Sequence, residues 1–194
     1  FVGRDPDGPA ADGDPLYRER FLPICTPETK ARLDGIHDPV RDVSSPKYLP
    51  TSALDDTERV WRYSSAAGLE GFPLLHIQSS LAGTPGWPEW VTAFKHERTA
   101  PERGVRYAHA RNAIEGVRSN AGLLVCGLSL VLDEIGAGGL CLPFPPREHI
   151  PADADYRVKL RAGAERRPQV LRFRDWLIGE CGVTKNRIAK LIDG

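Results

Sequence analysis

The part of the sequence best suited to ligand chemistry is the polar loop from Ser79 to Trp87. An apolar run of strand length, residues 72–78, leads directly into this loop, and a helix with Pro88 in its first turn follows it. Hydroxyl and glycine residues between a strand end and a helix start offer hydroxyls and free backbone N–H groups, and Trp87 adds an aromatic wall. This combination suits a small anion or carboxylate. An ordinary surface turn has the same composition, so both interpretations stay open at this point.

Catalytic and metal chemistry have little support elsewhere in the sequence. The five histidines are separated from one another and from the four cysteines, so no metal-ligand spacing is present. Ser79 and Ser80 lack the glycine-flanked setting of a nucleophilic serine, and the glycines of 136–139 do not form a dinucleotide fingerprint. Cys126 and Cys141 lie in apolar runs, where a thiol packs as a small hydrophobic group. We therefore predict no enzyme activity, no cofactor and no metal.

Composition bounds the class of protein. A chain of 194 residues, 41% hydrophobic and 27% charged, can bury a core as one large domain or two small lobes. Lys plus Arg number 26 and Asp plus Glu number 26, so the chain lacks the basic field that nucleic acid attracts. Neither a membrane span nor a signal peptide is evident, and we expect a cytoplasmic protein without membrane association. Because the sequence contains no Met and begins with Phe1, we also expect residues upstream.

Hydrophobic patterning predicts an α/β order of elements. A strand is expected at about residues 20–25, at an edge or a crossing because of Pro23, with Thr26 as N-cap of the next helix. The later strands and helices alternate, which predicts parallel pairing. Residues 35–71 are predicted to form a long surface excursion. Pro168 opens a helix that is expected to end near Gly182, with a separate polar turn or two after it.

Seven short motifs, in their order and spacing, resemble a known family. They cover about residues 20–181, at positions 22–27 (LPICTP), 73–76 (PLLH), 87–90 (WPEW), 121–127 (AGLLVCG), 139–144 (GLCLPF), 156–158 (YRV) and 173–177 (FRDWL). The family is the effector-binding domain of LysR-type transcriptional regulators, in the branch that includes the glycine-cleavage and β-lactamase regulators.

The resemblance implies a fold like that of periplasmic binding proteins, with two Rossmann-like lobes and an effector cleft between them. It implies an incomplete first lobe. We accordingly predict a remnant of the first lobe and the crossing strand at 1–22, the second lobe at 23–150 with a long insertion at about 35–71, a return to the first lobe at 151–182, and a C-terminal tail at 183–194.

The resemblance also implies a function. The expected ligand is a small-molecule effector, typically a small acid, held by Arg4, Thr26, Ser79, Ser80, Leu81 and Trp87. DNA would be contacted only through an N-terminal helix-turn-helix, which does not precede Phe1 here, and the domains would associate as a homodimer or homotetramer. A solute-binding receptor of a transporter has the same two-lobed fold, and the upstream sequence would distinguish the two. An enzyme on this scaffold would need a titratable pair with perturbed pKa values in the cleft.

Overall fold

The computed structural model describes residues 2–3, 13–36, 69–78 and 84–193. Its strands are β1 (Val2–Gly3), β2 (Asp14–Tyr17), β3 (Arg20–Ile24), β4 (Leu74–Ile77), β5 (Val105–Tyr107), β6 (Leu123–Gly127), β7 (Ile150–Pro151) and β8 (Tyr156–Val158). Its helices are α1 (Pro27–Ile36), α2 (Trp87–Phe94), α3 (Ala110–Arg118), α4 (Leu132–Gly136) and α5 (Pro168–Asp193). Most of the predicted excursion, residues 37–68, lies outside the described residues.

The strands form two sheets. The larger sheet has the order β5-β4-β6-β3-β7, and the smaller has the order β1-β8-β2. In the larger sheet β4 is parallel to both β5 and β6, which confirms the prediction from the alternation of strands and helices. All pairs in the smaller sheet are antiparallel. The chain is therefore a mixed α/β domain.

Strand β3 lies inside the larger sheet and directly follows the crossing from the smaller sheet, so of its two predicted positions the edge is wrong and the crossing is confirmed. It pairs with β6 along residues 21–24, whereas β7 pairs only with Arg20 and Phe21 on its other side. The next described contact on that side is a backbone bridge between Cys25 and Cys141. Because backbone groups alternate along a strand, Pro23 faces the gap between these two contacts, where its missing N–H breaks no ladder hydrogen bond.

An aromatic cluster forms the centre of the core beside the larger sheet. The Trp90 ring stacks on His96 at 4.3 Å and contacts Phe144 at 4.7 Å and Trp87 at 5.8 Å between centroids. The indole N–H of Trp87 donates to the Leu75 carbonyl at 3.1 Å. That of Trp90 donates to the backbone carbonyl of residue 148 at 2.7 Å. Both rings are therefore buried with their indole N–H groups hydrogen-bonded.

Helix α5 is one continuous helix of 26 residues and does not end near Gly182. The prediction of a separate tail is wrong because the last turns pack on the larger sheet. Ile188 is 4% exposed and shares a cluster with Leu22 and Leu128. Arg187 also reaches Asp133 at 2.7 Å. Within the described parts of the chain, neither this helix nor any other is long and apolar enough to cross a membrane.

Two short segments cross between the sheets. Arg18 and Glu19 join β2 to β3, and residues 152–155 join β7 to β8. The crossings lie side by side: the Arg18 guanidinium contacts the Asp155 carboxylate at 2.7 Å, and the Ala152 N–H donates to the Glu19 carbonyl at 2.9 Å. These two connections thus form one paired junction, and α5 links the sheets a second time, through Arg174 and Asp14 at 3.9 Å on the smaller sheet and Ile188 on the larger one.

Candidate functional site

A cavity of about 400 Å³ lies between the two sheets. The smaller sheet supplies Leu16, Tyr17 and Tyr156, and the larger sheet supplies Phe21, Ile77 and Gly127; the remaining lining residues are Glu19, Thr84, Ala110, Ser129, Leu130, Leu177 and Cys181. The cavity opens beyond the carboxyl ends of β4 and β6. Ligands of open α/β sheets bind at this edge.

A chain of hydrogen bonds connects the two sheets across the cavity. The Tyr17 hydroxyl donates to Ser129 Oγ at 3.1 Å, and the Ser129 hydroxyl donates to the Glu19 carboxylate. Burial raises the pKa of Tyr17 to about 12, against a smaller opposing effect of the Ser129 hydrogen bond. The phenol is therefore neutral throughout the physiological range and remains a donor.

The Glu19 carboxylate is only 2% exposed and is held by backbone groups. Its Oε1 accepts from the N–H of Arg20 at 3.0 Å and from the N–H of Ser129 at 3.3 Å. Gly127 makes this fit possible, because a Cβ there would lie 2.8 Å from Glu19 Cδ. The described residues that line the cavity include no Lys, Arg or His. An acidic ligand would need a cation from elsewhere, and the predicted source, Arg4, lies outside the described residues.

The rest of the cavity wall is mainly apolar. The Tyr17 and Tyr156 rings stack at 5.1 Å with an interplanar angle of 27°. Leu16 and Ile77 continue the wall, and Leu130 is 54% exposed beside it. The cavity can therefore accept a ligand with an apolar or aromatic body and a polar group that reaches the hydrogen-bond chain.

The predicted ligand loop is only partly described. Ser79, Ser80 and Leu81 lie outside the described residues, as does Arg4. Thr84, from the described end of the same loop, lines the cavity. At the following helix, the Gly86 N–H donates to the Glu89 carboxylate at 2.9 Å, so this N–H is already occupied by a side chain of α2.

Thr26 and Trp87 are not among the residues that line the cavity. Thr26 lies past the opposite end of β3, where its Oγ1 accepts from the Thr29 N–H at 3.2 Å and its hydroxyl donates to the Asn120 side chain. This confirms the predicted N-cap of α1. Trp87 is 1% exposed and packs in the core beneath the loop. The geometry gives both residues structural roles, and their ligand contacts remain only a prediction.

Sequence reasoning missed Tyr17, Glu19, Ser129 and Tyr156 as cavity residues. Ser129 carried a usable signal, because it follows the carboxyl end of β6, a continuous apolar run whose five residues are all buried. The tyrosines carried none, since they approach each other only after β2 and β8 pair.

Replacing Thr26 by Ala should lower the free energy of unfolding by about 1 kcal/mol, because the N-cap acceptor of α1 is lost. Thr26→Ser keeps the hydroxyl and is the matched control, with a much smaller loss expected. Urea denaturation of both variants measures the difference. Equal stability of the two variants would contradict the capping role.

The chain is similar to known proteins both in sequence and in fold. A family model described as LysR substrate binding domain matches residues 62–182. The effector domain of the transcriptional regulator AmpR of Pseudomonas aeruginosa is 18% identical, with a TM-score of 0.60 over 95% of this chain and 73% of that chain. The AmpR effector binding domain from Citrobacter freundii is 15% identical, with a TM-score of 0.55 over 93% and 73% of the two chains.

The regulatory domain of CrgA, a LysR-type transcriptional regulator from Neisseria meningitidis, is 14% identical, with a TM-score of 0.52 over 93% of this chain and 74% of that chain. At these identities the structural likeness establishes the fold alone. A search of curated proteins gave no significant match.

Proposed function

Because the chain belongs to the LysR substrate-binding domain family, as the effector-binding domain of a LysR-type transcriptional regulator, we propose that its effector binds in the cavity between the two sheets. The hydrogen-bond chain from Tyr17 through Ser129 to Glu19 is the observation that carries this proposal. It places donors and acceptors from both sides of the cavity within reach of one small molecule.

The proposed mechanism is a population shift. An effector that contacts Tyr17 and Tyr156 on one side and Ser129 on the other binds best at one separation of the two sheets. The paired crossings at residues 18–19 and 152–155 are the segments that can change this separation. The effector shifts the equilibrium only as far as it binds one arrangement better than the other.

We propose a small acid as the effector class, following the family resemblance. A carboxylate can accept from the neutral Tyr17 hydroxyl if it displaces Ser129 as the acceptor of that hydroxyl, while an apolar body packs on the stacked tyrosines. The compensating cation would come from Arg4, and further contacts from Ser79, Ser80 and Leu81, next to Thr84. Without such a cation the buried Glu19 carboxylate would repel an acidic ligand. A comparison of each acid with its neutral amide therefore measures whether the cavity prefers acids.

The finer features of the regulator are part of the same proposal. The effector signal would reach DNA through an N-terminal helix-turn-helix, and the protein would act in the cytoplasm as a homodimer or homotetramer. Binding, not catalysis, would be its activity. The match to a regulator family does not favour the alternative of a transporter's solute-binding receptor.

A thermal-shift screen of carboxylates, each paired with its neutral amide, tests the proposal. A ligand at 100 times its dissociation constant adds about 2.7 kcal/mol to stability, which is easily detected. Ser129→Ala and Tyr17→Phe should each weaken binding about tenfold, through loss of one hydrogen bond. Ser119→Ala, at an exposed serine bonded to the Glu115 carbonyl at 3.0 Å, is the matched control. Ligands that bind all four proteins equally would contradict the site.

A further inference from the structure

Two cysteines that are 116 positions apart in the sequence meet in the fold. The Sγ atoms of Cys25 and Cys141 lie 3.7 Å apart. Their backbones exchange both hydrogen bonds, from Cys25 N to Cys141 O at 3.1 Å and from Cys141 N to Cys25 O at 2.9 Å. Residues paired in this way have Cα atoms about 5.5 Å apart. Disulfides span about 4.4–6.8 Å between Cα atoms, so this pair can be bridged without a large movement of the chain.

The two thiols differ in exposure and in chemistry. Cys25 is fully buried and Cys141 is partly exposed. The hydrogen bond between the thiols lowers the pKa of Cys141, as does the Lys30 ammonium, although partial burial and Asp34 oppose this effect. The same hydrogen bond and burial raise the pKa of Cys25. Cys141 is therefore the thiol with greater thiolate character and better access, and Cys25 lies directly behind it.

The other cysteines lack these properties. Cys126 is fully buried in β6, and burial raises its pKa. Cys181 is partly exposed on α5, and partial burial raises its pKa as well. Among the described contacts, neither has a second sulfur at hydrogen-bond distance.

We propose that Cys25 and Cys141 form a reversible disulfide when a peroxide oxidises the protein, which gives the domain a redox-sensitive site separate from its ligand cavity. The disulfide would join the end of β3 to the segment after α4, directly before the Thr26 cap of α1. The cavity lies at the other end of β3, near Phe21.

The reaction balances with hydrogen peroxide as the oxidant. The Cys141 thiolate attacks one peroxide oxygen, the O–O bond breaks, and a sulfenic acid forms while hydroxide leaves and takes up a proton to become water. The Cys25 sulfur then attacks the sulfenic sulfur, the S–S bond forms, and the sulfenic oxygen leaves as water with the Cys25 proton. Two thiols and one peroxide thus give one disulfide and two waters, and two electrons pass from sulfur to oxygen.

Mass spectrometry of the peroxide-treated protein tests the proposal. The expected result is a loss of about 2 Da, reversed by dithiothreitol, with one cross-linked peptide that contains residues 25 and 141. Oxidation should also raise Tm by roughly 5–10 °C, because the cross-link closes a long loop. Cys141→Ser should abolish the mass loss, whereas Cys181→Ser, the matched control at another partly exposed cysteine, should retain it.

The peptide map of the unsubstituted protein decides the matter even if a variant fails to fold. Four free thiols after treatment, a cross-link that involves Cys126 or Cys181, or a link between two chains would each overturn the proposal. None of these outcomes depends on effector binding, so the proposed function can fail while the disulfide stands, and the reverse is equally possible.

Discussion

Trp87→Ala is expected to lower the free energy of unfolding by about 3–5 kcal/mol, because a large side chain leaves the core and a cavity remains. Trp87 is 1% exposed, and its ring contacts Trp90 edge to face at 5.8 Å. Its removal also deletes the hydrogen bond that the indole N–H donates to the Leu75 carbonyl at 3.1 Å. Urea denaturation measures the loss.

Trp176→Ala is the matched control for this prediction. Trp176 is 56% exposed on α5 and contacts Phe173 at 5.5 Å between centroids. We expect its replacement to change stability by less than about 1 kcal/mol. If the two variants lost equal stability, the placement of Trp87 in the core would be wrong. Because Trp87 lies in the core and not in the cavity wall, a weaker ligand response of Trp87→Ala is expected from the loss of stability alone.

Gly104→Ala is the second substitution with a large expected effect, a loss of about 2–6 kcal/mol in the free energy of unfolding. Gly104 has φ +153, and a Cβ there would lie 1.9 Å from the Leu74 carbonyl oxygen and 2.9 Å from His76 Cδ2. The chain would have to move away from β4 just before β5 begins. Thermal and urea denaturation detect this loss directly.

Gly136→Ala provides the control. Gly136 ends α4, and nothing lies within 4 Å of a Cβ placed there. Alanine should therefore be neutral or stabilise by up to about 1 kcal/mol. If Gly104→Ala were as stable as Gly136→Ala, the close approach between Gly104 and the Leu74 carbonyl would be wrong.

The sequence predicted most of the fold because its patterns are local. The cap at Thr26 and the alternation of strands and helices both follow from neighbouring residues. The interior position of β3 could not be predicted in this way, since Pro23 is tolerated only because β7 is short and leaves a gap beside it. The continuous α5 depends likewise on distant contacts, through Ile188 and Arg187.

The candidate site was less predictable for a physical reason. Tyr17 and Glu19, Ser129, and Tyr156 come from three separate parts of the chain, and only the pairing of the strands brings them to one cavity. The loop from Ser79 was a reasonable prediction from its composition, and Thr84 at its end does line the cavity. The contact between Cys25 and Cys141 also depends on tertiary structure, because it forms only when two apolar runs that are distant in sequence become neighbours at the end of β3.

The central claim is that the cavity between the sheets binds the effector, and blocking the cavity tests it most directly. Ala110 lines the cavity at the start of α3, so Ala110→Trp should fill part of it. Ala137→Trp, at an exposed position after α4, is the matched control. In isothermal titration with the tightest carboxylate from the screen, the native protein and Ala137→Trp should bind alike, and folded Ala110→Trp should bind at least about tenfold more weakly. Equal affinity of all three proteins would contradict the account.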